Sequence, residues 1–455
     1  MKKKLTFMIS LLLVLTISVC AFITPASSFK NDVETSSYAM LLINLDTRTV
    51  VYSLRADKPW NASYMSELMT FLLMSEIVSN PEEISIKVDE EFIKGLKHSD
   101  GCLNKYLGEE LTLKDIAAIM LLTSGSDAAF LIANYLSSGD INAFIDMMNA
   151  RAARLGCKQT AFESPGYSES KTHITTCLNL SRLYNRLMNN ELYKEIMSSP
   201  KYIPAKYEED ESYAVTTENS IMNPVSPYYF RYATGGKFAC DPVSGASIVV
   251  TTNYQESKYM FVALRGKNEA EENVFTDARH LTTWAYLNLS DRKVIDTETS
   301  VGKATAIAGW GQYDIDLYAD NSARKTLPNE YEQNKFSVKM DIPGTLQLPL
   351  FEGERVCSAD ILYDGERLDK VRIVSKKDEG VSMLHDLGRF GGYALSKMFP
   401  NTPVNEAAEQ EEEALTEPPA NAPKEAAPTE PAASEEEASQ ETAPTTETAE
   451  AETEG

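Results

Sequence analysis

Hydroxyl side chains are the main candidates for chemistry in this chain. Ser63 and Ser66 stand just before an apolar stretch, Ser124 and Ser126 flank Gly125, and Thr234 precedes Gly235. A hydroxyl attacks an acyl carbon only when a base sits beside it. Tyr64, between the first two serines, is a weak nucleophile at neutral pH, with an unperturbed pKa of about 10. Ser124, Ser126, Thr234 and Gly235 are the polar set on which any hydrolase reading must rest. Only four His occur, at scattered positions and without an HExxH pattern. No metal site and no cofactor are therefore expected. Five cysteines follow the N-terminal segment: Cys102, Cys157, Cys177, Cys240 and Cys357. An odd number without CxxC spacing does not indicate a disulfide framework, and they read as small core hydrophobes.

The elements that must position these groups are legible from periodicity. Tyr38 to Leu45 and Thr49 to Leu54 read as a hairpin around Asp46-Thr47-Arg48. Ser63 to Val78 has helical spacing, with Asn61 or Ser63 as its cap. Leu113 to Leu136 reads as two helices broken at Ser124-Gly125. Ile141 to Leu155, Thr175 to Met188 and Ala270 to Leu289 read as helices. Ser247 to Tyr254 and Lys258 to Arg265 form a second hairpin. Strands at both ends with helices between predict an α+β layered domain. From about Val301 short alternating runs follow, with Asp364-Gly365 as a hairpin turn, and predict a small all-β sandwich.

Charge is concentrated at one end. The net formal charge is −24, and 16 Glu against one Lys lie between Asn405 and Gly455. An acidic chain repels phosphate backbones, so nucleic acid is not an expected partner. The Glu, Ala, Pro and Thr composition of 401–455 predicts a disordered tail. Lys2 to Lys4, the apolar stretch Leu5 to Ile23 and small residues at 26–28 read as an export signal, with an uncleaved anchor as the alternative. Either way the remainder is expected to be extracytoplasmic: secreted, in the cell wall or on the outer membrane face. Val381 to Phe399 carries a helical apolar stripe that suits either peripheral membrane contact or packing on its own domain.

Several blocks in order carry a family resemblance. LLINLDTRTVVYSLRADKPWNASYMSELMT (Leu41 to Thr70), GEELTLKDIAAIMLLTSGSDAA (Gly108 to Ala129) and MMNARAARLGCKQTAFESPGY (Met147 to Tyr167), followed by His173, resemble the serine D-alanyl-D-alanine carboxypeptidases. These are the low-molecular-weight penicillin-binding proteins of peptidase family S11. The resemblance covers about Tyr38 to Val374. It implies a transpeptidase-like domain over 34–292, with a helical cluster on an antiparallel sheet. It also implies a C-terminal β domain over 300–376; the apolar stripe, not the resemblance, sets an amphipathic helix over 380–400.

That family works with three motifs: SxxK, whose Ser is acylated and whose Lys takes its proton; SxN; and KTG, which grips the terminal carboxylate of the stem peptide. Aligned without a gap, the nucleophile position falls on Tyr64 and its lysine on Glu67. The second motif gives Ser124, Gly125 and Ser126 in place of Asn. The third gives Ala233 in place of Lys, then Thr234 and Gly235. No serine near residue 64 has a lysine three residues on. Lys237 lies four residues past Ala233, more than about 12 Å along a strand, and so is expected to be a poor substitute. On this register the local charge falls from +2 to −1, at roughly 3 kcal/mol per unit against a carboxylate. Tyr64 and Glu67 are then expected to be ordinary residues at the start of a core helix, and Ser124 a turn residue. The implied protein keeps the fold without the chemistry. Its expected partners are peptidoglycan stem peptides, bound weakly, or wall and membrane proteins. A trimming carboxypeptidase and a structural surface protein are the competing readings.

Overall fold

In a computed structural model of the protein, the described residues are 29, 31–96, 101–266, 272–308, 311–342, 345–348, 350–377 and 379. The expected export signal, the stripe over 381–399 and the acidic tail lie outside them.

Five antiparallel strands form the first sheet: β1 (Ala39–Asn44), β2 (Val50–Leu54), β3 (Ala233–Asp241), β4 (Gly245–Tyr254) and β5 (Ser257–Gly266). Their spatial order is β2-β1-β5-β4-β3. All six residues of β1 are buried, because both faces of the sheet are covered. Ala39, Leu41 and Ile43 join a core with the helices between β2 and β3, whereas Met40 and Leu42 join a second core. Side chains alternate across a strand, so a continuous apolar run can serve two cores.

The first core is built on α1 (Glu67–Ile77), α2 (Leu113–Thr123), α3 (Ser126–Leu136), α4 (Ile141–Arg154), α5 (Cys177–Leu187) and α6 (Glu191–Ser198). The second is covered by α7 (Glu272–Asn288). Every residue from Glu67 to Met74 is buried, which makes α1 the central helix and explains why it has no polar face. Its expected start at Ser63 is a 3₁₀ turn over Ser63–Ser66, and the Asn61 side chain accepts the Ser63 N–H at 2.7 Å. The Thr112–Asp115 capping box starts α2. The expected break at Ser124-Gly125 is present. Ser124 ends α2 in the left-handed region (φ 51°), and a Cβ on Gly125 would meet Cys102 Sγ at 2.3 Å.

The β region holds β6 (Leu289–Ile295), β7 (Gly302–Ala308), β8 (Gly311–Ala319), β9 (Ala323–Pro328), β10 (Phe336–Met340), β11 (Leu346–Gln347), β12 (Arg355–Tyr363) and β13 (Glu366–Val374). Six of these strands form a sheet in the order β10-β12-β13-β8-β7-β11, and β6 pairs with β9. Asp364 (φ 52°) and Gly365 (φ 82°) make the expected tight turn. Sequence patterning missed β6 and β9, which form the junction with the first domain. There Lys325 is buried, its Nζ donating to Thr47 O at 2.9 Å and pairing with Asp369 at 2.6 Å. Thr326 Oγ1 lies 2.6 Å from Thr47 Oγ1 and donates to Asp291 at 2.8 Å. Lys325→Ala is expected to cost about 1–3 kcal/mol in urea unfolding, because Thr47 O and Asp369 lose their shared donor.

Candidate functional site

Ser63, Glu67, Ser124 and Lys237 meet along one seam, between β3 and the starts and ends of the helices of the first core. From Lys237 onwards β3 alternates, and Lys237, Ala239 and Asp241 face the helices; a break in register before it sets Ala233 on the other side. Phe238 and Ala233 join the opposite core. Lys237 is fully buried, and its Nζ lies 2.8 Å from Glu67 Oε2, also fully buried. The same ammonium donates to Leu121 O at 3.2 Å, to Met120 O at 3.5 Å and to Ser124 Oγ at 3.4 Å. A cation therefore sits at the C-terminal end of α2 and an anion at the N-terminal end of α1. Each sign suits the helix end it occupies.

Two further bridges run along the seam. Ser124 Oγ donates to Phe238 O at 3.0 Å. Ser63 Oγ donates to Asp241 Oδ2 at 2.5 Å, while Asp241 Oδ1 accepts the Val243 and Ser244 amides at 2.9 and 2.7 Å. His173 stands behind Ser63. Its Nδ1 accepts the Glu163 amide at 3.1 Å, which leaves Nε2 to donate to Ser63 O at 3.2 Å. Burial lowers its pKa to about 4, so the ring is neutral.

The remaining expected residues have structural partners. Tyr64 is half-buried and stacks on Tyr167, with centroids 5.0 Å apart. Ser66 Oγ donates to Gly166 O at 2.6 Å. Ser126, first residue of α3, accepts the Tyr167 amide at 3.1 Å. Thr234 Oγ1 donates to Thr251 Oγ1 at 3.0 Å and is exposed. Beside the seam lies a depression of about 440 Å³ lined by Tyr64, Cys102, Ser124, Thr216, Glu218 and Cys240 among others. Cys102 donates its thiol proton to Asp127, and burial, then that carboxylate, push the thiol well up from its usual range. All five cysteines after residue 28 are thiols. Among the described residues no group of three His, Cys, Asp or Glu gathers to hold a metal.

These positions correct the sequence register of the third motif. Lys237, not Ala233, reaches Ser124 and the Glu67 position. Ala233 packs against the other core and does not enter the seam. The motif is therefore occupied by Lys237, Phe238 and Ala239, with its lysine retained and its next two residues changed. Lys237 is not a distant substitute, and Glu67 is not an ordinary helix-start residue. The local charge is also corrected: the pair is one cation and one anion, not a net −1. A signal for this was present in the sequence. Lys237 within GGKFA of β3 and Glu67 at the head of the mostly apolar run ELMTFLLM of α1 each require a partner when buried.

The fold and this seam define a penicillin-binding-protein-like transpeptidase domain followed by a β domain. The chain belongs to the D-alanyl-D-alanine carboxypeptidase family of peptidase S11, whose family model matches residues 25–268. The model of the penicillin-binding protein 5 C-terminal domain matches residues 290–380. The chain is similar to the D-alanyl-D-alanine carboxypeptidase DacF of Bacillus subtilis, with 21% identity over 393 residues, 83% of this chain and 95% of that one. It is also similar to a D-alanyl-D-alanine endopeptidase of Escherichia coli, 29% identical over 161 residues, 35% of this chain and 50% of that one. Among solved structures, penicillin binding protein 5 from Haemophilus influenzae matches with a TM-score of 0.61 at 15% identity, covering 78% of this chain and all of that one. The carboxypeptidase DacD from Francisella tularensis matches with a TM-score of 0.57 at 16% identity, covering 81% of this chain and 98% of that one. Among the described residues no helix is long and apolar enough to cross a membrane.

Proposed function

We propose that this chain is an exported, non-hydrolytic member of its family that acts by binding or scaffolding at peptidoglycan. The observation that carries this reading is the buried Glu67–Lys237 pair. The lysine that would deprotonate a nucleophile is replaced by a carboxylate, and the retained lysine is neutralised by that carboxylate. Ser63, Ser66 and Ser126 are fully buried and hydrogen-bonded. The outer margin of β3, where an extended peptide would add as a strand, is already used. Asn219 Nδ2 donates to Gly236 O at 2.9 Å and Ser124 takes Phe238 O. A stem peptide that binds here must do so weakly or beside the seam, in the depression at Tyr64.

A β-lactam mimics the D-Ala-D-Ala end and acylates an active family serine. Incubation with one, read by intact mass beside an active family member, is expected to give no adduct on this protein. An adduct mapped to Ser63, Ser66 or Ser124 would overturn the reading. D-alanine release from a pentapeptide that is abolished by Tyr64→Phe would do the same.

A further inference from the structure

At one end of the first sheet two arginines are bent out of ordinary backbone geometry towards the same ring. Arg55 directly follows β2 and has φ 46°; Arg265 lies in β5 and has φ 57°. Neither residue type favours the left-handed region, and such strain persists only where surrounding structure enforces it. Arg265 sits at a break in register between β4 and β5, where Ala246 faces Gly266 but Ile248 faces Ala263. A bulge of this kind re-aims a side chain. The Arg265 guanidinium carbon lies 5.0 Å from the Tyr38 centroid and 4.1 Å from that of Trp60. The Arg55 guanidinium carbon lies 4.6 Å from the same Tyr38 centroid. Tyr38 and Trp60 touch at 5.6 Å, and Trp60 is pinned by its Nε1–H to Ser244 O at 3.0 Å.

Both arginines are exposed, and among the described residues neither makes an ion pair with a carboxylate. Their guanidinium groups are no more than about 10 Å apart, roughly one screening length at physiological salt. Arg55 Nε donates to Tyr38 O at 2.7 Å, and its terminal N–H groups donate to no described residue. The Arg265 guanidinium donates to no described residue. Stacking on a ring covers the flat face of a guanidinium and leaves its donor edge outward. The nearest exposed carboxylate in sequence, Asp57, pairs instead with Lys58 at 3.8 Å.

We propose that Arg55 and Arg265, held on the Tyr38–Trp60 ring pair, form a binding site for a phosphodiester polyanion. A tetrahedral phosphodiester accepts donors from more than one direction, and successive phosphates of one chain supply a charge to each fork. A chain with a net charge of −24 repels a polyanion as a whole. Binding must then be local, and removing the two forks removes it. This site lies outside the seam and does not depend on whether the seam is inert.

The test is titration of the full-length protein with synthetic poly(glycerol phosphate) at low and at physiological salt. Measurable binding that weakens with salt is expected, and Arg55→Gln/Arg265→Gln should lose about tenfold or more in affinity. Arg55→Lys/Arg265→Lys keeps the charges without the forks and should fall in between. It also supplies the answer if the glutamine variant does not fold. No binding at low salt, or unchanged binding in the lysine variant, would overturn the proposal. So would an equal loss in the β-domain pair Lys339→Gln/Lys370→Gln, on β10 and β13. Equal affinity for poly-glutamate would overturn the phosphate assignment. Arginine-dependent capture by phosphatidylglycerol vesicles without any binding of the soluble polymer would overturn the polymer assignment.

Discussion

Lys237→Met is expected to destabilise the protein by about 3–5 kcal/mol, read as a lower urea midpoint with an unchanged slope. The substitution leaves the Glu67 carboxylate fully buried without the cation 2.8 Å away. It also strips a donor from Leu121 O and Ser124 Oγ at the end of α2. Glu67→Met/Lys237→Met should recover most of that loss and finish within about 1–2 kcal/mol of the starting protein. Both charges are then gone, and only the donor to the helix end remains missing. The difference between the sum of the single losses and the double loss is the coupling energy, expected to exceed about 2 kcal/mol. Additive losses would mean that the two groups do not act as a pair.

A second large effect concerns pH. Burial holds the His173 pKa at about 4, against about 6.5 in an unfolded chain. Above pH of about 6.5 the ring is neutral in both states and stability does not depend on it. As pH falls below that value, the unfolded chain takes up a proton that the folded ring refuses. Stability is then lost progressively, and the loss levels off below pH of about 4. The window corresponds to about 3 kcal/mol. The effect is checked by urea midpoints at neutral pH and near pH 4. His173→Gln should start less stable, because the Ser63 carbonyl and the Glu163 amide lose matched partners, but should lack this slope. Glu163, whose pKa is lowered by its Ser170 and Thr172 hydroxyl partners, titrates towards the acid end and adds a smaller loss of its own. A variant with the full slope would place the titration elsewhere.

Much of the architecture was legible because it rests on local rules. The β1–β2 hairpin, the break at Ser124-Gly125, the turn at Asp364-Gly365 and the α+β order all follow from periodicity and turn chemistry. The positions of Tyr64, Glu67, Ser124 and Ser126 also follow from an ungapped run of residues. What failed was the third motif. Thr234-Gly235 imitates the last two residues of that motif and outweighed the one contrary signal, a lysine within a strand that needs a partner when buried. Strand direction decides it, because Lys237 shares a face with Asp241 while Phe238 points to the other core. The junction strands β6 and β9 were missed for a related reason. Lys325 and Thr326 look like surface residues, and contacts with Thr47, Asp291 and Asp369 at the junction hold them in a buried place.

The covered margins of the first sheet have a consequence for self-association. An unpaired strand margin is a template onto which another chain can add, and long apolar ones seed aggregation. On the β2 side the Phe29 amide donates to Val51 O at 3.2 Å. On the β3 side the Asn219 side chain and Ser124 occupy the carbonyls of Gly236 and Phe238. Bonds that close the seam within one molecule also deny it to a neighbouring one, so strand-by-strand growth from this sheet is blocked at these carbonyls while the fold is intact.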